Sequence, residues 1–532
     1  MKDTRAVIVG AGPAGIRAAQ VLVAAGLRPT VLDEAPRAGG QIYRQPPPGF
    51  GRSGRELYGF EHRKADRLHR AMEALLPAID YRPGALVWNC EDRLLDVLHE
   101  GRNHAIGYDS LILATGATDR VLPFPGWTTP GVYTLGGAQV ALKYQGCGIG
   151  QRVAFMGTGP LLYLVAYQYA RAGAGVAAVL DTARAADRLA ALPGMLRAPG
   201  LLAKGLYYMA WLRLHGVPMY QGVRPDHVVG HERVGGIVFR DSRDATAEPR
   251  RIACDAVAYG LGLRAETQLA SLSGCAFEFH GRDRAWLPRR DAAGRATVAG
   301  VYVAGDGAGI AGADAAELAG ERAALALLED IGAPVEPRRI AVLQRLLARQ
   351  QKLRDALERA FPFPADWSAT LADDVILCRC EEITAGALRE SARMQGAGEL
   401  NRMKALTRVG MGRCQGRMCG AAAAELLAQA SGVPLAQVGR LRVQPPVKPI
   451  PVYPFREGTP WPLPDSANSS VLPDSSVLPD SSVLPDLSLL PDFSALPDRA
   501  ESSDVPNASV SPAAGLPGGA YATGPLSPQA AP

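Results

Sequence analysis

The 532-residue chain lacks the biases that mark fibrous, coiled-coil or disulfide-scaffold proteins: 47% of its residues are hydrophobic, 20% are charged, and it holds only eight cysteines. It has no long unbroken apolar run. Residues 153 to 180 come nearest, but Gly157, Gly159, Gln168 and Arg171 interrupt them, so they read as strand, turn and helix rather than as a membrane span. An export signal is also missing: Met1-Lys2-Asp3-Thr4-Arg5 passes at once into AVIVGAGPAG, too short an apolar core, and a cytoplasmic location is expected. No CxxC or CxxxxC occurs in residues 1 to 330, which argues against a dithiol relay there. Cys90, Cys147, Cys254 and Cys275 are scattered, as expected of reduced thiols. No residues form an evident acid, base or nucleophile constellation, and no nucleic-acid partner is expected.

What is present is unevenly placed. Residues 451 to 532 hold nine acids and two bases, so the formal charge of +5 divides into +12 for residues 1 to 450 and −7 for the rest. That stretch also carries 16 of the 42 prolines and six LPD triplets, beginning at 463, 472, 478, 484, 490 and 496. A proline every sixth residue blocks helix and ladder hydrogen bonds, and one or two apolar residues per repeat bury too little surface to offset chain entropy. A disordered tail is expected over 441 to 532, with a hexapeptide β-helix as the sharper alternative.

Near the start, AVIV (6 to 9) has the character of a parallel strand buried on both faces. Gly10, Gly12 and Gly15 follow as GxGxxG, with Pro13 and Ala14 opening a helix. Gly10 permits a tight turn, Gly12 lets backbone approach a pyrophosphate, and Gly15 lets the helix pack on the strand. The helix N-terminus meets phosphate charge. A second strand ends at Asp33-Glu34, where an acid would bond ribose hydroxyls. Gly39-Gly40-Gln41 forms a further turn able to approach a cofactor. DSLILATGA, running into Thr115-Gly116, and GVYVAGDG, ending in Gly305-Asp306-Gly307, read as later strands of the same sheet.

Residues 152 to 181 repeat the pattern with Gly157, Gly159 and a terminal Asp181, but Leu162 stands where the third glycine belongs. Leu162 would hold helix and strand apart, whereas Asp181 would favour a free ribose over a 2'-phosphate. Three readings stay open: a working NAD(H) site, a site for another adenine nucleotide, and a vestigial fold element. The aromatic and basic stretch 195 to 214 suits a helix packed within the protein or against another subunit, or, alternatively, one lying on a membrane surface.

The remaining cysteines cluster: Cys378 and Cys380 form CxC, and Cys414 and Cys419 form CxxxxC. Four thiolates in two pairs can bind zinc or an iron-sulfur cluster, but zinc ribbons and knuckles use CxxC. Arg379, Arg413 and Arg417, with Arg402, Lys404 and Arg408 just before the second pair, would favour a reduced, negatively charged cluster.

Residues 1 to about 330 resemble the two-dinucleotide-binding-domain flavoproteins of the glutathione reductase-like superfamily, and 373 to 440 resemble the bacterioferritin-associated ferredoxin-like (BFD-like) [2Fe-2S] domain. The CxC with GMGRCQGRMCG, together with DEAPRAGGQIYR and GTGPLL, resembles the fused flavoprotein (A) subunits of opine oxidase, hydrogen cyanide synthase and D-hydroxyproline dehydrogenase. That resemblance implies an α/β fold in parts: 1 to 120 and 291 to 332 as the FAD-binding domain, 121 to 290 as an inserted second nucleotide-binding domain, 333 to 372 as a helical connector, 373 to 440 as a small helical [2Fe-2S] domain, then the tail. It implies FAD held by Gly10, Gly12, Pro13, Ala14, Gly15, Asp33, Glu34, Gly40, Gln41, Thr115, Gly116, Gly305 and Asp306. It also implies a cluster on Cys378, Cys380, Cys414 and Cys419. The leading expectation is a subunit of a heteromeric amine or amino-acid dehydrogenase that relays electrons from an FAD-containing, oxidase-like β subunit. Within it, FMN at an interface between chains and a small third subunit remain open. The rivals are a self-sufficient NADH-dependent reductase and a redox sensor or scaffold.

Overall fold

The computed structural model describes residues 4–451 apart from 245 and 395. The LPD repeats, and the disorder or β-helix expected of them, lie outside the described residues. Ala6–Val9 is buried along its whole length because it has a parallel neighbour on each side, Thr30–Asp33 and Ser110–Leu113. Val301–Val303 extends the sheet beyond Ser110–Leu113, and Asp80–Pro83 extends it beyond Thr30–Asp33. A strand from residue 301 thus shares a sheet with one from residue 6, and both the ATG and GDG segments end at its carboxyl edge. The helix Pro13–Ala24 packs on Ala313–Asp330 at very short range: a Cβ at Gly320 would collide with the Ala14 carbonyl.

A second five-stranded parallel sheet has the order Met219–Gln221, Gly175–Asp181, Arg152–Gly157, Ala256–Gly260, Val132–Thr134. Between the two sheets, Ala117–Asp119 pairs antiparallel with Leu263–Ala265, so the chain passes out and back through one two-stranded ribbon. The 195 to 214 stretch contains the helix Pro199–Leu214, which buries Tyr208 and Leu212 against the helix Pro160–Arg171 and pairs Lys204 with Glu61. Among the described residues no helix is long and apolar enough to cross a membrane.

Beyond the long helix Pro337–Ala360 the cysteine-bearing segment folds as a small hairpin, Ile376–Cys378 with Ile383–Thr384, and three helices, Ala385–Met394, Leu400–Thr407 and Gly420–Ser431. Its core is continuous with that of the second sheet: Met156, Val257 and Tyr259 belong to the same buried cluster as Leu388, Met403 and Leu426. Such a shared core, at roughly 1.5–3 kcal/mol per buried large apolar side chain, makes the module a docked part of the body. One boundary differs from expectation. Residues 441 to 451 are expected to belong to the tail, yet Val447 is buried, its N–H donates to the Trp88 carbonyl at 3.0 Å, and Lys448 pairs with Glu34. Val443 and Val447 give this segment apolar side chains that join the cluster beneath the first sheet.

Candidate flavin and iron-sulfur sites

The first glycine loop is shaped by three different constraints. Gly10 has φ +108°, and a Cβ there would collide with the Ala114 carbonyl; a Cβ at Gly15 would collide with the Gly10 carbonyl. Both glycines are therefore demanded by the protein's own backbone. Gly12 is not. Its φ is −83° and a Cβ would meet only the Gly40 backbone, with the Cα at 3.6 Å, an ordinary contact. The need for glycine there comes from the space outside the loop. The helix behind it, Pro13–Ala24, has no side-chain cap, leaving first-turn amides to meet an anion.

The other expected residues converge on this edge. Gly40 stands opposite Gly12, and Gln41 accepts a hydrogen bond from Arg44 at 2.9 Å. A Cβ at Gly305 would come within 2.9 Å of the Ala14 Cβ, and one at Gly307 within 2.7 Å of Thr115 Oγ1, so the late loop lies against both the first helix and the ATG loop. Asp306 is mostly buried; its Oδ1 accepts the N–H groups of Ala311 (2.8 Å) and Gly312 (2.9 Å), and desolvation raises its pKa. Asp33 accepts from Ala11 N at 2.5 Å and Ala35 N at 2.7 Å, so this acid braces the glycine loop, while Glu34 is held by Lys448. Burial raises the Asp33 pKa against those two amides. A glycine cradle open at Gly12, uncapped amides and two acids at strand ends fit an FAD pyrophosphate and its sugars.

The second loop differs. A Cβ at Gly157 (φ +147°) would collide with the Gly260 carbonyl, which holds the turn, but Leu162 is wholly buried in the core and Asp181 faces inward. Asp181 Oδ2 accepts Tyr163 OH at 2.6 Å and the Arg188 guanidinium, and Oδ1 accepts Ala183 N at 2.8 Å. The residues present do not fit a pyridine-nucleotide ribose.

The four cysteines come together from the hairpin and from the turn before Gly420–Ser431. Cys378 and Cys419 are buried, Cys380 and Cys414 half-buried. Cys419 interacts with Cys378 and Cys414, and Cys380 with Cys414 and Cys378, so the four thiols face one another. Among the described residues no group of three or more His, Cys, Asp or Glu side chains gathers closely enough to hold one metal ion. Four facing thiols can hold a binuclear cluster, with two thiolates on each iron. Hydrogen bonds from the Cys419 thiol pull Cys414 down to about 5 and Cys378 down to about 6, helped by the amides of Met418 and Gly416 on Cys414 and of Gly410, Glu381 and Cys380 on Cys378. Amides aimed at sulfur stabilise thiolates, the form that ligates iron. A Cβ at Gly412 would collide with the Cys380 Cβ, so only glycine lets that loop close over the ligand.

The bases near the ligands are largely committed to structure: Arg417 donates to the Cys414 carbonyl (3.2 Å), Arg408 pairs with Glu381 (2.8 Å), and Arg379 lies over the Trp127 ring (5.8 Å). Residues that the motifs did not point to join the two sites. Thr115 Oγ1 donates to the Glu266 carbonyl (2.6 Å), Glu266 N–H donates to the Gly116 carbonyl (2.9 Å), and Gln268 donates to the carbonyl of Gln415, next to Cys414 (3.2 Å). Arg284 likewise makes two 2.6 Å hydrogen bonds to Glu425. No local pattern marks Gln268 or Glu425, because each matters only for what it meets across the fold.

Comparison with known proteins agrees with this arrangement. The model of the pyridine nucleotide-disulphide oxidoreductase family matches residues 4–326, and that of the BFD-like [2Fe-2S] binding domain matches 376–429. The opine oxidase A subunit of Rhizobium meliloti is 38% identical over 83% of this chain and 85% of its own. The hydrogen cyanide synthase subunit HcnB of Pseudomonas protegens is 35% identical over 84% of this chain and 97% of its own. In fold, the chain is similar to the crystal structure of L-proline dehydrogenase from P. horikoshii, with a TM-score of 0.60 at 20% identity over 84% of this chain and 78% of that one. The glycine cradle and the four facing thiols thus sit where these models match, and the chain belongs to the pyridine nucleotide-disulphide oxidoreductase family, as a flavin oxidoreductase that binds FAD and carries a BFD-like [2Fe-2S] domain.

Proposed function

We propose that the chain is the FAD- and [2Fe-2S]-carrying subunit of a heteromeric amine or amino-acid dehydrogenase, of the opine or D-hydroxyproline kind, that relays electrons from a partner flavoprotein subunit to an acceptor. When bound, the flavin supplies two-electron chemistry and the cluster single-electron transfer. Residues Gly10, Gly12, Gly15, Asp33, Thr115, Gly116 and Asp306 would hold the first, with Cys378, Cys380, Cys414 and Cys419 the ligands of the second. The observation that carries the reading is the strap Glu266–Gln268, hydrogen-bonded at one end to Thr115 and Gly116 and at the other to the backbone beside Cys414. A short strap tied to both sites supports a relay reading. The relatives are named as subunits, which supports a partner.

The test uses the chain co-expressed with the product of a neighbouring reading frame. Opines and hydroxyprolines should reduce the cluster anaerobically only when the partner is present; reduction in the isolated chain would reject the relay. Cys414→Ser should abolish the cluster's visible absorption and acceptor reduction while FAD stays bound. Retained absorption, or zinc in place of iron in the wild type, would also reject it.

A further inference from the structure

By its two glycines, the loop at the carboxyl edge of the second sheet ought to receive a nucleotide, yet the groups that would do so are committed elsewhere. Asp181 is fully buried, and three hydrogen bonds from Ala183 N, Tyr163 OH and Arg188 fill most of the roughly four lone-pair positions of a carboxylate. Tyr163 and Arg188 also bond to each other at 2.7 Å, closing the triangle. Any ribose would have to displace them. Leu162 takes the place that in the first loop admits no Cβ at all, and its side chain is wholly buried.

The chain's own connector packs onto this triangle. Phe361, which ends the helix Pro337–Ala360, lies 5.4 Å from the Arg188 guanidinium, and the Tyr163 ring lies 5.3 Å from the same group. From Phe361 the backbone runs into the segment that leads to the cysteines. Phe363 lies under the guanidinium groups of Arg120 (5.5 Å) and Arg284 (4.6 Å). Trp367 Nε1 donates to the Pro123 carbonyl at 2.7 Å, and Arg389 of the cysteine module donates to the carbonyls of Ser368 (2.8 Å) and Leu371 (2.7 Å). A cleft of about 630 Å³ persists beside this seat, walled by Thr182, Arg184, Phe363 and Trp367.

We propose that the second nucleotide-binding domain does not bind a pyridine nucleotide, and that the acid in its ribose position, Asp181, instead clamps Arg188 as the seat on which Phe361 fixes the connector to the cluster module. Asp181 is thereby a positioning residue: it acts on the connector only through Arg188. A planar guanidinium held by a carboxylate on its edge keeps both faces available for aromatic rings, which an ammonium cannot do. The inference stands whether or not the protein works with a partner subunit.

Two measurements on the FAD- and cluster-loaded chain decide it. In an anaerobic titration with NADH and then NADPH, followed by nicotinamide fluorescence, no saturable binding is expected up to about 1 mM. Saturable binding in the micromolar range by the wild type would overturn the first half. In hydrogen exchange, Phe361→Ala and Asp181→Asn should each speed exchange of residues 361 to 371 at least about tenfold while the helix Ala313–Asp330 exchanges as before. Arg188→Lys, which keeps the charge and loses the plane, should resemble them. Wild-type protection of 361 to 371 in Phe361→Ala refutes the seat. Should Asp181→Asn raise exchange everywhere, Phe361→Ala, whose side chain lies outside the hydrogen-bonded triangle, decides alone.

Discussion

Replacing Gly12 by alanine separates the protein's own needs from those of its cofactor. The new methyl meets only the Gly40 backbone, with the Cα at 3.6 Å, and φ at −83° is open to any L residue, so the apoprotein should fold as before. It should even gain about 0.4–1 kcal/mol, because alanine restricts the unfolded chain more than glycine does. The same methyl stands where backbone must approach the pyrophosphate. Holding two phosphate-directed N–H donors off their acceptors forfeits about 1.5–3 kcal/mol each, and at about 1.4 kcal/mol per decade the FAD dissociation constant should rise at least 100-fold. Flavin-stripped wild type and Gly12→Ala would be compared by urea unfolding and by quenching of FAD fluorescence on rebinding. Gly15→Ala is the contrasting control: its methyl collides with the Gly10 carbonyl and should destabilise the apoprotein itself. Unchanged FAD affinity in Gly12→Ala, with the fold intact, would refute the placement of the pyrophosphate at this loop.

Two further outcomes follow from buried charge. Glu425→Ala removes both hydrogen bonds that tie Arg284 to the helix Gly420–Ser431 and should cost about 2 kcal/mol, discounted from a fully buried pair because Arg284 keeps about a third of its side-chain exposure (32%). Faster hydrogen exchange in that helix reads the loss, and a change below about 0.5 kcal/mol would show that the pair does not hold the module in place. Lys143 is buried, with the Ile42 carbonyl as acceptor at 3.1 Å and the Tyr58 ring at 5.7 Å, and burial pushes its pKa down to about 7. The folded state then holds fewer protons than the unfolded chain between about pH 7 and about pH 10, so stability rises with pH there, by up to ~1.4 kcal/mol per unit. Lys143→Met should flatten that slope in pH-dependent urea unfolding; an unaltered slope would mean the amine keeps its ordinary value.

Much of this protein is legible locally. AVIV followed by Gly10, Gly12 and Gly15 announces a buried parallel strand, a tight turn and a helix start from the local pattern alone, although only Gly15 answers a constraint a few residues away, while Gly10 meets the distant Ala114 carbonyl. The pairing of Cys378 with Cys380 and of Cys414 with Cys419 likewise announces a ligand set by spacing alone, and the proline repeats announce a change of character in the chain. The sequence could not say what Asp33 and Asp181 do. Both end a second strand after a glycine loop, and one braces that loop while the other disappears into a triangle with Tyr163 and Arg188. Nor could it show that Gln268 reaches Gln415, that Phe361 lies on Arg188, or that Val447 and Lys448 return to the first domain. These contacts join residues separated by tens to hundreds of positions. Local periodicity and turn chemistry specify elements and the loops between them, whereas the partner of a buried charge is chosen by whichever distant group can satisfy it once the elements have packed.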